Sequence, residues 1–179
     1  MSIALRPWTP ADAEALQRAW QTAPDLATQF GSAELTSPAA ARAYIDESLL
    51  FDERARNWAI VDDGVAVGNV AATAIELRHE TAWISYWLAP AARGRGLATD
   101  AVLAVSDWAF RHGLHRLELG HRVNNPASCR VATASGFRAE GVEREKLRYG
   151  AERFDVELHA RLRSDPAPAS SSSLPLSMA

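Results

Sequence analysis

A loop rich in glycine and arginine, placed between a strand and a helix, restricts the fold of this chain more than any other stretch. Ala89-Pro90 ends a predicted strand over 81–88, because proline cannot donate a hydrogen bond to a sheet. Arg93-Gly94-Arg95-Gly96-Leu97-Ala98-Thr99 follows, and a helix is predicted from there to about residue 112.

This loop has the chemistry of a site for a phosphate group. The first turn of a helix exposes unpaired N–H groups and a partial positive charge, glycines let a ligand approach the backbone, and arginines add charged donors. A tight turn with no ligand is the alternative. A nucleotide-binding loop of the Gly-Lys-Ser/Thr type is disfavoured because the loop has no lysine. A dinucleotide site is disfavoured because Thr99 stands where a third glycine or alanine is needed.

The remaining pattern predicts an α+β domain with a mixed sheet, because strands and helices do not alternate regularly. Asp63-Gly64 is a strong signal for a hairpin. We expect one domain over residues 1–163, followed by a disordered tail rich in Ser, Pro and Ala over 164–179. The predicted order is strand 3–8, helices 10–20 and 38–51, strands 58–62, 65–77 and 81–88, helix 97–112, strand 115–120, helix 126–135, and strands 137–147 and 153–162.

Composition argues against several classes of partner. The net charge of −3 and the lack of a basic stripe disfavour nucleic acid. The chain shows no signal peptide and no apolar run long enough for a membrane span, so we expect a cytoplasmic protein without a membrane partner. Cys129 is the single cysteine and is expected to be a free buried thiol. The five histidines show no metal-ligand spacing along the chain, and no metal is expected.

The glycine loop and several later motifs resemble those of a known family, the GNAT acetyltransferases. Arg93-x-x-Gly96-x-Ala98 matches the signature of the family, and Ser85 to Pro90 looks like its preceding strand. Asn125-x-x-Ser128, Gly136-Phe137 and Glu140-Gly141 are similar to the RimJ/RimL-type branch, which includes acetyltransferases of ribosomal proteins. The resemblance implies the GNAT fold, with a mostly antiparallel sheet that is splayed at an acyl-CoA cleft and flanked by helices.

The resemblance also implies roles for individual residues. The loop from Arg93 to Thr99, that is Arg93, Gly94, Arg95, Gly96, Leu97, Ala98 and Thr99, would bind the pyrophosphate of acetyl-CoA. Backbone near Trp87 and Leu88 would pair with the pantetheine arm, and Asn125 would contact that arm, with helix capping as its other role. Ser128 would protonate the departing CoA thiolate, or else bond only to its own helix.

No general base stands out in the sequence. The strand over 81–88 carries no carboxylate, although many members of the family have one there. Glu145 is our choice of base, with Glu80 and His79 as alternatives, and a solvated surface position is the other interpretation of each. A water relay or an acceptor of low pKa would remove the need for a base.

The resemblance therefore implies an N-acetyltransferase that uses acetyl-CoA as co-substrate and acts on a primary amine. The acceptor is expected to be the N-terminal α-amine of a protein or peptide. A small amine (an amino acid, a polyamine or an antibiotic) and a non-catalytic acyl-CoA sensor stay open. The residues between 21 and 36 are expected to shape the acceptor pocket. The chain is expected to be a monomer or a homodimer.

Overall fold

The computed structural model describes residues 2–169 and 174–178, and these form a seven-stranded sheet in the order β1-β2-β3-β4-β5-β7-β6. Every pair of neighbouring strands is antiparallel except β4 and β5, which are parallel. The prediction of an α+β domain with a mixed, mostly antiparallel sheet is confirmed. The strands are β1 Ile3–Pro7, β2 Arg56–Asp62, β3 Val65–Glu76, β4 Thr81–Leu88, β5 Arg116–Arg122, β6 Arg138–Tyr149 and β7 Glu152–Leu162.

Within the described residues, four α-helices flank the sheet, and they begin close to the positions that the sequence indicates. They are α1 Ala13–Thr22, α2 Pro38–Ser48, α3 Leu97–Arg111 and α4 Pro126–Ala134. The Ser37 hydroxyl accepts a hydrogen bond from the backbone N–H of Ala40 at 3.1 Å, as expected for the cap of α2. A 3-10 turn, Pro10–Asp12, precedes α1.

Alternation along β2 explains how the sheet is covered on both faces. Trp58 and Ile60 belong to a core cluster that includes α3, whereas Ala59 and Val61 belong to a second cluster with α1 and α2. Successive side chains of a strand point to opposite faces, so a strand with five consecutive buried residues must lie between two layers. The hairpin predicted at Asp63-Gly64 joins β2 to β3, with φ values of 46° and 87°.

The sheet opens between β4 and β5. Pairing is limited to Thr81–Trp83 of β4 and Arg116–Glu118 of β5, and the strands diverge beyond those residues. Gly120 lies just past the last pair, where an added Cβ would come within 2.9 Å of the Trp83 indole. The ring of Trp83 therefore occupies the position that a side chain at residue 120 would need. The expected splay of the sheet is present, and it sets the place of the cleft described below.

The chain end differs from the sequence prediction. We predicted disorder over 164–179, but residues 174–178 lie beside β1, where the N–H of Leu5 donates to the Pro175 carbonyl at 2.9 Å and that of Ser177 to the Leu5 carbonyl at 2.8 Å. Leu174 and Leu176 pack against the core. The prediction is wrong for these residues, because an edge strand offers unpaired backbone groups and two leucines supply apolar surface. The serine run at 170–173 and Ala179 lie outside the described residues.

No helix in the described part of the chain is both long enough and apolar enough to cross a bilayer.

Candidate active site

A cavity of about 570 Å³ occupies the gap between the diverging ends of β4 and β5, and we call it the cleft. The end of β4, the glycine loop with the first turn of α3, the end of β5, and α4 form its walls. Asp25, Leu26 and Gln29 of the 3-10 helix Pro24–Gln29 also line it, so part of the connection over 21–36 contributes to the cleft. The role of this connection in an acceptor pocket stays a prediction. A second cavity of about 620 Å³ lies beside α2, away from the loop.

The glycine loop leaves the start of α3 open towards the cleft. Gly94 and Gly96 have φ values of 74° and 79°, in the left-handed region that glycine enters without strain. Gly96 is the N-cap of α3 and supplies no side-chain cap, so the first N–H groups of the helix have no partner from its cap. Gly94, Gly96, Leu97, Ala98 and Thr99 all line the cleft. This geometry fits a phosphate group placed at a helix N-terminus.

The two arginines of the loop have different surroundings. The Nε–H of Arg93 donates to the Leu88 carbonyl at 3.0 Å, and its Nη2 lies 2.9 Å from the Asp25 carboxylate. Arg93 lines the cleft and holds the loop against β4. Arg95 forms an ion pair with Asp62 at 2.6 Å and is not part of the cleft lining. The structure therefore brings Arg93, but not Arg95, to the predicted phosphate site.

The end of β4 presents backbone groups to the cleft. The N–H of Ala89 donates to the Val67 carbonyl on β3 at 2.8 Å. Backbone groups alternate between the two edges of a strand, so the N–H of Leu88, one residue earlier, points to the opposite edge, which is the cleft. The side chain of Trp87 turns to the other face of the sheet and packs on Phe30 with ring centroids 5.4 Å apart. Both Trp87 and Leu88 line the cleft.

The first turn of α4 brings Asn125 and Ser128 to the opposite wall of the cleft. The Asn125 side-chain oxygen accepts a hydrogen bond from the Ser128 N–H at 3.2 Å, so Asn125 caps the helix. Its amide nitrogen forms no hydrogen bond with the described residues and is available to a ligand. The Ser128 hydroxyl lies beside the phenol of Tyr86 on β4. The cap and the contact with a ligand are thus compatible roles for Asn125.

Tyr86 is a cleft residue that the sequence analysis placed only on a strand. Its hydroxyl donates to the Ser128 carbonyl at 3.3 Å and links β4 to α4. Burial raises the pKa of the Tyr86 phenol, and the hydrogen bond to Ser128 offsets only part of that rise. Tyr86 therefore keeps its proton at neutral pH beside the predicted acid. A strand pattern alone does not show which helix faces a given tyrosine.

The residues chosen as candidate bases lie outside the cleft lining. Glu145 is exposed in an irregular part of β6, with φ at 54° and its N–H bonded to the Asp155 carboxylate at 2.7 Å. His79 and Glu80 are exposed at the turn before β4, at the far end of that strand from Leu88. Among the described residues that line the cleft, the only carboxylate is Asp25, which is paired with Arg93. We therefore assign no base role to Glu145, His79 or Glu80.

Comparison with known proteins agrees with the geometry of the cleft. A family model described as an acetyltransferase (GNAT) domain matches residues 2–138. Two curated relatives are similar over shorter stretches. A Bacillus subtilis (strain 168) protein called "Probable N-acetyltransferase YjcK" is 38% identical over 48% of this chain. The ribosomal-protein-serine acetyltransferase of Escherichia coli (strain K12) is 31% identical over 60% of it. The matched stretches span 48% and 61% of those two relatives.

Solved structures match over most of the chain. RimJ of Mycobacterium smegmatis, in complex with CoA-disulfide, has a TM-score of 0.79 at 25% identity and covers 90% of this chain and 82% of its own. An acetyltransferase of Salmonella typhimurium, whose description states that it modifies the N-terminal serine of ribosomal protein L7/L12, has a TM-score of 0.78 at 25% identity. That match covers 90% of this chain and 95% of the Salmonella chain.

Proposed function

The chain belongs to the GNAT acetyltransferase family and has the GNAT fold, and from that premise we propose that it transfers an acetyl group from acetyl-CoA to the N-terminal α-amine of a protein or peptide. The observation that carries the proposal is the cleft itself. An open helix N-terminus, an exposed strand edge and two polar side chains of α4 converge on one cavity between β4 and β5.

The cleft offers suitable partners for both the diphosphate and the pantetheine arm of acetyl-CoA. The N–H groups at the start of α3 and the guanidinium of Arg93 would bind the diphosphate, because both favour negative charge. The pantetheine arm would lie along the open edge of β4, in the way that a peptide adds to a sheet. The Asn125 amide would donate to that arm from the other wall.

The proposed chemistry is direct attack on the thioester. The neutral amine forms an N–C bond to the acetyl carbonyl carbon, the C–S bond breaks, and the amine loses one proton to water. The N–H of Leu88 would stabilise the negative charge that develops on the carbonyl oxygen. The Ser128 hydroxyl would deliver a proton to the CoA thiolate as it leaves and would regain one from the water that takes up the amine proton.

The surroundings of the cleft favour an acceptor that is easily deprotonated. The only carboxylate in the described lining, Asp25, is paired with Arg93. The histidine of that lining, His121, has both ring nitrogens within hydrogen-bond distance of protein atoms, the Arg122 carbonyl and His159, so neither group is placed to act as a base. An α-amine has a pKa of about 7.7–8.0 and is on the order of 10% neutral at pH 7, whereas a lysine amine with a pKa of about 10.4 is neutral at well under about 0.1%. The Salmonella structure, described as acting on an N-terminal serine, supports the same acceptor.

A thiol-release assay tests the proposal. The protein is given acetyl-CoA with four kinds of amine: peptides with a free N-terminal serine or alanine, the same peptides with a blocked N-terminus and an internal lysine, free amino acids, and spermidine. We expect CoA release with the free N-terminal peptides and none with the blocked ones. Mass spectrometry should place one acetyl group on the terminal nitrogen.

Each alternative has its own outcome in the same assay. Turnover with spermidine or amino acids, and none with peptides, would show that the acceptor is a small molecule and not a peptide N-terminus. Binding of acetyl-CoA without CoA release from any amine would indicate a sensor. A rate that does not follow the pKa of the acceptor, in peptides modified to alter that pKa, would contradict the argument that the enzyme supplies no strong base.

A further inference from the structure

A group of four side chains with metal-binding atoms lies where α4 meets β5 and β7, next to the cleft that His121 also lines, and we call it the His/Cys/Glu cluster. Its members are His121 on β5, Cys129 on α4, and Glu157 and His159 on β7. One potential ligand atom from each residue lies within 4.8 Å of the other three. The spacing of these residues along the chain gives no sign of the cluster, because three separate elements contribute to it.

The distances within the cluster are short. The two imidazole Nε2 atoms lie 3.1 Å apart. The Glu157 Oε2 atom lies 2.9 Å from Nε2 of His159 and 3.3 Å from Nε2 of His121. The Cys129 Sγ atom lies 3.9 Å from the same carboxylate oxygen. Both histidines are buried, while Glu157 and Cys129 are partly exposed and give the cluster access to solvent.

The His121 ring is oriented so that its Nε2 atom faces the cluster. The Nδ1 atom of His121 lies 3.0 Å from the Arg122 carbonyl oxygen, which can only accept, so Nδ1 carries the proton. The Nε2 atom of His121 then faces the Glu157 carboxylate and Nε2 of His159. Without a cation, a proton on Nε2 of His159 would bridge these atoms, and a bound cation would replace that proton. A metal-binding histidine commonly donates its other N–H to a backbone carbonyl, as His121 does.

We propose that the His/Cys/Glu cluster is a binding site for one divalent cation of the zinc class. Zinc takes four ligands from histidine, cysteine and carboxylate at bond lengths of about 2.0–2.3 Å. A tetrahedron with such bonds has ligand atoms about 3.3–3.7 Å apart. The separations in the cluster lie between 2.9 and 4.8 Å, so side-chain shifts of up to about 1 Å would bring the four atoms to that geometry. Two neutral imidazoles, one carboxylate and one thiolate carry a charge of −2, which neutralises the cation.

The surroundings of His159 limit the affinity of the cluster for a divalent cation. Nδ1 of His159 is buried and has no hydrogen-bond partner among the described residues. A bound cation therefore lacks the outer support at His159 that it has at His121. Loss of such a partner weakens metal binding by about 10–100-fold. We expect a micromolar site rather than a nanomolar one.

A cation bound to the His/Cys/Glu cluster would have a structural role. All four ligands come from the protein, which is typical of structural rather than catalytic zinc sites. Cys129 follows Ser128 directly on α4, so a bound cation would attach the wall of the cleft that carries Ser128 to β5 and β7. The site does not depend on the proposed acetyl transfer and can be tested without a substrate.

Titration of chelator-treated protein with Co²⁺, followed by absorption, tests the site. We expect one equivalent to bind, with visible bands of four-coordinate cobalt and a thiolate-to-cobalt charge-transfer band, and Zn²⁺ to displace it. Cys129→Ser should abolish the charge-transfer band, and Glu157→Gln should weaken binding by at least about 10-fold. His79→Ala removes an exposed histidine outside the cluster and should bind like the wild type.

Circular dichroism and the metal-free Tm of each variant establish that it is folded before titration. The two ligands are varied separately so that a folding defect in one does not decide the result. Zn²⁺ should raise the Tm of the wild type and of His79→Ala, and should raise that of Glu157→Gln less. Absence of stoichiometric binding in the wild type would overturn the proposal, as would binding that is unchanged in both Cys129→Ser and Glu157→Gln.

Discussion

The phenol of Tyr86 donates a hydrogen bond to the carbonyl oxygen of Ser128 at 3.3 Å and so connects the two walls of the cleft. The bond spans from β4, whose edge would hold the pantetheine arm, to α4, which carries the predicted acid. The Ser128 side chain lies beside the same phenol and lines the cleft. This relationship places Ser128 opposite the end of β4, where the thioester is expected.

Replacement of Ser128 by alanine tests the proton donor. We expect kcat to fall by about 100-fold, the lower range for loss of a general acid, while the KM for acetyl-CoA changes by less than about 3-fold. Thr133→Ala is the matched control, because its hydroxyl lies on the same helix, is exposed, and bonds within the described residues to the Cys129 carbonyl. Steady-state kinetics of both variants give the answer. A wild-type kcat in Ser128→Ala would remove the acid role.

Two substitutions of Asn125 should distinguish its role as a helix cap from its role in binding acetyl-CoA. Asn125→Ser keeps a good helix cap but loses the amide donor, so Tm should stay near the wild-type value while the KM for acetyl-CoA rises about 5–10-fold. Asn125→Ala loses both functions and should also lower the free energy of unfolding by about 1 kcal/mol. Thermal melts and kinetics on the pair distinguish the roles. Equal KM values in Asn125→Ser and the wild type would leave only the cap.

The chain end should contribute to stability through its contact with β1. Leu176→Asp places a charge against the core and should reduce the free energy of unfolding by about 1–2 kcal/mol. Met178→Asp is the control two residues further on, where the side chain is exposed. Urea titrations of both variants measure the difference. Equal stability of the two variants would mean that residues 174–178 do not hold the position described.

Asp12 should make stability depend on pH below its ordinary pKa of 3.8. Burial alone would raise the pKa of Asp12, but hydrogen bonds from Arg6 at 2.7 and 2.8 Å and from Thr9 outweigh it and lower the pKa. A lowered pKa stabilises the fold above the unfolded-state pKa, and this contribution disappears as pH falls through the folded-state value. Asp12→Asn should lower the free energy of unfolding by about 2 kcal/mol at pH 6, the size of a hydrogen bond to a charged group, and by less at pH 3. Urea unfolding of the wild type and of Asp12→Asn at both pH values measures the difference in their free energy of unfolding. A difference that is the same at pH 6 and pH 3 would contradict the assignment.

Local sequence was sufficient to predict the loop and the caps. Gly94 and Gly96 stand between a strand and a helix, and both adopt the left-handed conformation that makes glycine necessary there. Asn125 lies three residues before Ser128, and that spacing alone brings its side chain to the Ser128 N–H. The conformations of these features depend on neighbours within a few residues, so a single sequence contains the information.

Features that depend on distant contacts were not predicted. Glu145 was selected by its place in the sequence, but irregular pairing between β6 and β7 shifts the strand register, and Leu147 lines the cleft instead. The sequence likewise gave no reason to connect His121 with His159, because only the pairing of β5 with β7 brings them together. The contact of Leu176 with Leu5 joins opposite ends of the chain. Periodicity cannot detect such pairs.

Calorimetric titration of acetyl-CoA into the wild type, Gly96→Asp and Gly64→Asp tests the central claim most directly. Gly64 has a φ of 87°, similar to the 79° of Gly96, but lies in the hairpin between β2 and β3, so its variant controls for backbone strain. We expect the wild type and Gly64→Asp to bind one equivalent of acetyl-CoA. In Gly96→Asp the added carboxylate at the start of α3 should weaken binding by about 100-fold or more, the equivalent of two charged hydrogen bonds. Wild-type affinity in a folded Gly96→Asp variant would contradict the account.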